Sequence, residues 1–129
     1  MWRGGLIKSW SKTQPTIALS TGEAELSALA KSSAEGLGLQ SLLHDLGTTA
    51  QLIIHTDASA AIGIASRQGL GRIRHLATTD LWIQQRLKCK DFSIQKIHGE
   101  VNPGDLMTKA LDGERIRKLL ALMATWVPP

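Results

Sequence analysis

Apolar side chains between Thr21 and Leu46 recur every three to five positions, the spacing of one helical face. The recurring positions, with one small polar residue among them, are Leu26, Leu29, Ser33, Leu37, Leu42 and Leu46. Gly47 follows at once and is a natural C-terminal stop. Gly36 and Gly38 weaken the middle of this helix, so we expect a kink or close packing there.

Shorter apolar segments alternate with helical patterns along the rest of the chain. Strands are predicted at Gly5–Trp10, Thr16–Leu19, Gln51–Thr56 and Phe92–His98. Helices are predicted at ASAAIGIAS (58–66), HLATTDLWIQQRLK (75–88), from Asn102-Pro103 to near Asp112, and at Glu114–Trp126. The order β-β-α-β-α-α-β-α-α favours an α/β fold in which helices flank one mixed sheet.

Composition narrows the class of protein. With 129 residues, 43% of them apolar, the chain is predicted to fold as a single domain over 1–129. Its single cysteine, Cys89, excludes an intramolecular disulfide and a cysteine-based zinc cluster. No apolar run approaches the ~20 residues of a membrane span, and the N-terminus lacks a signal-peptide core. We therefore expect an intracellular protein, cytoplasmic or nuclear, that is neither secreted nor membrane-bound.

The net charge of +4 favours anionic partners such as nucleic acid. The charge is uneven, because residues 58–79 contain no acid while they include Arg72, Arg74 and His75. A basic loop with glycines is a candidate contact for phosphates. The alternative is a solvated loop without a ligand.

Three acids occupy positions where elements begin or end. Glu25 lies in the first turns of the long helix, Asp57 directly follows the Gln51–Thr56 strand, and Asp105 falls in the first turn after Asn102-Pro103. If these ends meet, the carboxylates form a cluster suited to Mg²⁺, which can serve phosphodiester cleavage. Taken singly, each acid is better explained by helix capping, by the helix dipole or by a surface position.

Four segments in order carry a resemblance to a known family. They are KSWSKTQPTIALSTGEAELSAL, LIIHTDASAAIGIA, RHLATTDLWIQ and NPGDLMTKAL. Over about residues 5–112 the chain resembles the ribonuclease H domain of Ty1/copia-type retrotransposon Pol polyproteins. The resemblance implies a ribonuclease H-like mixed sheet flanked by helices, followed here by a C-terminal helix at about 114–126.

The resemblance also implies roles for the three acids. Glu25, Asp57 and Asp105 match the family's catalytic metal ligands, whereas Glu23 fits a capping box begun by Ser20. The implied cofactor is Mg²⁺, with Mn²⁺ as a substitute. The implied reaction is endonucleolytic hydrolysis of the RNA strand in an RNA–DNA hybrid.

Further residues are assigned to binding. Lys109 matches a family position and joins Arg72, Arg74 and His75 as a candidate contact for the nucleic-acid backbone. His98 lies in the loop where cellular ribonucleases H often carry a histidine that assists product release. The alternative for His98 is an exposed loop histidine without a catalytic role.

The chain departs from the family at its start. The family has a fourth acid, an Asp on a first strand, but no Asp or Glu precedes Glu23 here. We therefore expect an N-terminally truncated domain whose hydrolytic activity is impaired in isolation. The missing strand would come from the reverse transcriptase part of the same polyprotein or from another chain. The alternative is a catalytically dead ribonuclease H-like module that binds nucleic acid or acts structurally.

Overall fold

The structure is a computed structural model, and it describes residues 6–14, 21–66 and 78–123, without the side chains of 78–80. These residues combine α-helices with a small parallel sheet. The α-helices are α1 (Thr21–Asp45), α2 (Ser59–Ser66), α3 (Thr78–Lys88) and α4 (Gly113–Leu122). The strands are β1 (Ile53–Thr56) and β2 (Ser93–Lys96), and 3₁₀ helices span Gly99–Val101 and Pro103–Met107. The α/β class predicted from the sequence is thus confirmed, with less sheet than expected among the described residues.

The chain divides into two compact units. One unit is Thr16–Lys96, which holds α1, β1, α2, α3 and β2. The other combines Met1–Pro15 with Ile97–Pro129, and it holds the two 3₁₀ helices and α4.

The Thr16–Lys96 unit is built around one apolar cluster. Its buried members are Leu26, Leu29, Ala30, Ile54, Ala61, Ile64, Ala65, Ile83 and Phe92. Helix α2 contributes two alanines to this cluster, and α1 and α3 both pack against α2. Small side chains let helix backbones approach closely, which suits a helix packed against two others.

Strands β1 and β2 pair in parallel, with Ile53 opposite Ser93 and Thr56 opposite Lys96. A parallel pair needs a crossover connection, and α2 and α3 lie in it. Only Ile54 of β1 is buried, because successive side chains of a strand point to opposite faces.

Helix α1 matches its predicted bounds closely and ends as predicted at Gly47, which has φ +83°. The N–H of Thr48 donates to the Leu43 carbonyl at 2.8 Å, and that of Gly47 donates to His44 at 2.9 Å. This pair of bonds is a Schellman motif, which satisfies carbonyls at the helix end. Inside the helix, Gly36 allows the close packing that the sequence predicted, against the side chain of Leu52.

The predicted strand at Gly5–Trp10 is wrong for its described part. Residues 6–14 have no regular secondary structure, and Leu6, Ile7 and Trp10 are exposed. Strand propensity alone does not hold a strand, which needs a hydrogen-bonded neighbour. The proposed neighbour at Thr16–Leu19 lies outside the described residues, as do Ser20 and its capping box.

The predicted helix from Asn102-Pro103 to Asp112 is also wrong in type and length. It is a five-residue 3₁₀ helix in which the Asn102 side chain accepts from the Gly104 N–H at 3.0 Å. The Thr108 hydroxyl donates to the Gly104 carbonyl at 3.0 Å, which helps the chain leave the helix. The following helix, α4, begins at Gly113 with Asp112 as its cap, close to the predicted start.

Candidate functional site

Asp57 lies at the carboxyl end of β1, where parallel sheets present functional groups, and it is half-buried. The Thr56 hydroxyl accepts the Ala58 N–H at 3.2 Å and turns the chain toward α2. The Ile62 N–H donates to the Ala58 carbonyl at 3.2 Å. Ala58 therefore occupies the cap position of α2, and a capping role does not account for Asp57.

Glu25 lies early in α1 and is half-buried. Its neighbour Leu26 is fully buried in the cluster that contains Ile54, and Ala58, the neighbour of Asp57, packs against that cluster. Glu25 and Asp57 are thus each anchored beside a residue of one core. Among the described residues, no hydrogen bond or ion pair involves either carboxylate.

A basic side chain that sequence reasoning missed lies at the same edge of the sheet. Lys96 ends β2 directly opposite Thr56, and its Nζ donates to the Ser59 Oγ at 2.5 Å. This bond ties the carboxyl end of β2 to the first turn of α2. The strand register, which the sequence does not state, is what brings Lys96 next to the residue before Asp57.

Asp105 belongs to the other unit, and its environment differs from that of the first two acids. Its side chain is only 5% exposed, and both carboxylate oxygens are paired. Oδ1 lies 3.0 Å from the Nζ of Lys109, and Oδ2 lies 3.1 Å from the Nη2 of Arg115. The candidate acid and the candidate phosphate contact Lys109 are thus brought together as an ion pair.

Arg115 was not singled out from the sequence. Its Nη2 donates to the Gly99 carbonyl at 3.0 Å as well as to Asp105. Its Nε is buried and has no hydrogen-bond partner within the described part of the chain. The available signal was indirect: a buried carboxylate requires compensating charge, but a spacing of ten residues obeys no helical rule that identifies the partner.

These acids do not fit a three-carboxylate metal centre as they stand. The described ranges contain no group of three His, Cys, Asp or Glu side chains that could hold a metal ion. A metal on Asp105 would compete with Lys109 and Arg115, because each oxygen already has a cation at hydrogen-bond distance. Glu25 and Asp57 remain candidate ligands, and no reaction step is derived through a metal.

His98 has a local structural role in the structure. Its Nδ1 accepts the Glu100 N–H at 3.3 Å and caps the Gly99–Val101 helix, while the residue itself is exposed. The basic residues Arg72, Arg74 and His75 lie outside the described residues, so their role stays a prediction.

One curated relative covers most of the chain. The Retrovirus-related Pol polyprotein from transposon TNT 1-94 of Nicotiana tabacum is 30% identical over 110 residues, which is 84% of this chain. The chain spans 8% of the length of that relative. The similarity supports an origin in a retrotransposon Pol polyprotein and a polyprotein context.

No protein-family model and no solved structure matches the chain. Within the described segments, no helix is both long enough and apolar enough to cross a bilayer.

Proposed function

We propose that this chain is a ribonuclease H-type region of a retrotransposon Pol polyprotein that acts on RNA–DNA hybrids by metal-dependent hydrolysis of the RNA strand. The observation that carries the proposal is the position of Asp57 at the carboxyl end of a parallel strand, inside a segment that resembles the family's strand-Asp-helix block. The similarity to a Pol polyprotein supports the retrotransposon origin in this proposal.

The roles of the acids follow this proposal as far as their surroundings allow. Glu25 and Asp57 are the proposed cation ligands, since they adjoin one core and are not paired among the described residues. Mg²⁺, with Mn²⁺ as a substitute, would supply charge stabilisation and an activated water. Asp105, the third acid that the resemblance implies, is held by Lys109 and Arg115.

Binding of the hybrid is assigned to basic residues. Arg72, Arg74 and His75 form the proposed contact with the nucleic-acid backbone, in a stretch without acids. Such contacts read phosphate rather than sequence. A nuclease that cuts hybrids of any sequence requires contacts of this kind.

A second candidate is a ribonuclease H-like module that binds nucleic acid without cleaving it. The pairing of Asp105 with two cations favours this candidate, because it leaves one of three implied ligands neutralised. The two candidates share the basic contact and differ in their dependence on the acids.

The test is hydrolysis of an RNA–DNA hybrid in Mg²⁺ and in Mn²⁺. The 129-residue chain is compared with a chain extended at its N-terminus by a strand that carries an aspartate. Asp57→Asn is prepared in both, with Asp45→Asn, an exposed acid at the end of α1, as the matched control.

Cleavage that is lost in Asp57→Asn and kept in Asp45→Asn supports the proposal that the chain is a hydrolase. Hybrid affinity measured in EDTA should be the same for both variants. The enzyme proposal is overturned in favour of the binding module if both the 129-residue chain and the extended chain fold and bind hybrid without cleaving it. In that case hybrid affinity should also fall in Arg72→Ala and in Arg74→Ala.

A further inference from the structure

The carboxylate of Asp105 is the meeting point of three segments. Lys109 follows it by four residues in the same turn, Arg115 reaches it from the first turn of α4, and Arg115 also binds the Gly99 carbonyl. Through Arg115, the buried acid therefore connects the Gly99–Val101 helix and the Pro103–Met107 helix to α4.

Burial makes this connection strong. Asp105 is only 4% exposed, whereas Lys109 and Arg115 are partly exposed. A carboxylate removed from water is very unfavourable unless charge and hydrogen bonds compensate it. Here each oxygen has a cation at hydrogen-bond distance. Removing a cation would leave a buried charge only partly compensated.

The same geometry argues against a divalent ion at this position. A metal on Oδ2 would compete with the Nη2 of Arg115, whose other partner is the Gly99 carbonyl. The Nε of Arg115 already lacks a partner in the described part of the chain. Such competition would draw a charged partner away from a guanidinium that already has one buried nitrogen without a partner among the described residues.

We infer that Asp105 is a structural counter-ion, a latch that holds these three segments together through Lys109 and Arg115, and is not a cation ligand in this chain. The inference does not rest on the proposed function, since Glu25 and Asp57 can serve the reaction whether or not Asp105 is a latch.

The first test is a double-mutant cycle with Asp105→Asn and Arg115→Met, read as the Tm of the full chain in EDTA and in Mg²⁺. The matched controls are Asp112→Asn, which keeps a good capping residue, and Arg117→Met on the exposed side of α4.

A latch predicts that each single variant lowers Tm by about 10 °C or more. The double variant should fall by clearly less than the sum of the two, because both changes remove one interaction. The controls should shift Tm little, and Mg²⁺ should change none of these differences. Additive losses, or an Asp105→Asn variant as stable as Asp112→Asn, would overturn the latch.

A second test needs no variant that risks unfolding. Mn²⁺ is titrated into the wild-type chain, and paramagnetic broadening is measured at each backbone amide. Amides 103–109 should broaden no more than those of α4, which belongs to the same unit and carries none of the proposed cation ligands. Selective broadening at 103–109 would overturn the latch in favour of a metal ligand, and it would do so independently of any cleavage result at Asp57.

Discussion

Gly47 and Lys90 hold the same position in two helix ends. Lys90 follows α3 with φ +59°, in the left-handed region that Gly47 occupies after α1. Its N–H donates to the Leu87 carbonyl at 3.1 Å, and the Asp91 N–H donates to the Arg86 carbonyl at 3.2 Å. Both helices therefore end in a Schellman motif, one on glycine and one on a residue whose Cβ is strained there.

Lys90→Gly should raise the free energy of unfolding by about 1 kcal/mol, since it removes the Cβ penalty in a left-handed conformation. Gly47→Ala should lower it by about the same amount for the converse reason. Urea denaturation of both variants measures the two shifts. Lys88→Gly, still inside α3, is the control and should lose about 1 kcal/mol; a loss in Lys90→Gly of the same size would contradict the interpretation.

Two glycines of α1 should respond differently to alanine. A Cβ on Gly36 would lie 2.7 Å from the Leu52 Cδ1, whereas a Cβ on Gly38 would meet nothing within 4 Å. Gly38→Ala should stabilise the chain by about 1 kcal/mol through helix propensity. Gly36→Ala should gain less or lose stability, because Leu52 must move. Thermal unfolding of both variants measures the two changes in stability. Equal gains at both positions would show that Leu52 moves without a loss of free energy.

Gln84 bridges two helices. Its Nε2 donates to the Ile64 carbonyl at 2.9 Å, and the side chain is buried. The Ile64 carbonyl is one of the last four of α2, which find no N–H donor inside that helix. Gln84→Leu should cost about 1–3 kcal/mol, since a buried carbonyl loses a donor.

The exposed neighbour Gln85 provides the comparison for this change. Gln85→Leu should change the free energy of unfolding by no more than about 0.5 kcal/mol. Indistinguishable denaturation curves for the two variants would show that the bridge contributes nothing.

The basic loop should reveal itself in the salt dependence of binding. Arg72→Ala combined with Arg74→Ala should weaken hybrid affinity. The plot of the logarithm of the association constant against the logarithm of salt concentration has a negative slope, and the double variant should make it shallower by about 2, one for each phosphate that an arginine no longer neutralises. Fluorescence anisotropy at several salt concentrations measures the slope. The control is Lys31→Ala, which removes an exposed cation of α1. An unchanged slope in the double variant would show that the basic loop does not contact the phosphates.

The sequence predicted the local features of the fold well. Leucine spacing, together with Gly47, indicated the extent of α1, and the segment ASAAIGIAS indicated the helix that forms α2. These features depend on residues near one another in the chain. The strand expected at Gly5–Trp10 depended on a partner, and propensity alone could not establish that partner.

The candidate site divides in the same way. The position of Asp57 after β1 was readable because strand and acid are adjacent. The pairing of Asp105 with Arg115 was not, because it depends on how α4 folds back on the preceding turn. Lys96 was missed for a related reason, since only the register of β2 against β1 places it beside Thr56.

The parallel pairing of β1 and β2 has a kinetic consequence. Ile53 and Ser93 are opposite each other although 40 positions separate them along the chain. No local hairpin can bring them together, so a long loop must close before the first ladder bond forms. Helices α2 and α3 form on a faster timescale than a nonlocal strand pair. Once they have formed, the loop that must close contains fewer flexible residues. We therefore expect closure of this crossover, rather than strand propensity, to limit the rate at which the unit folds.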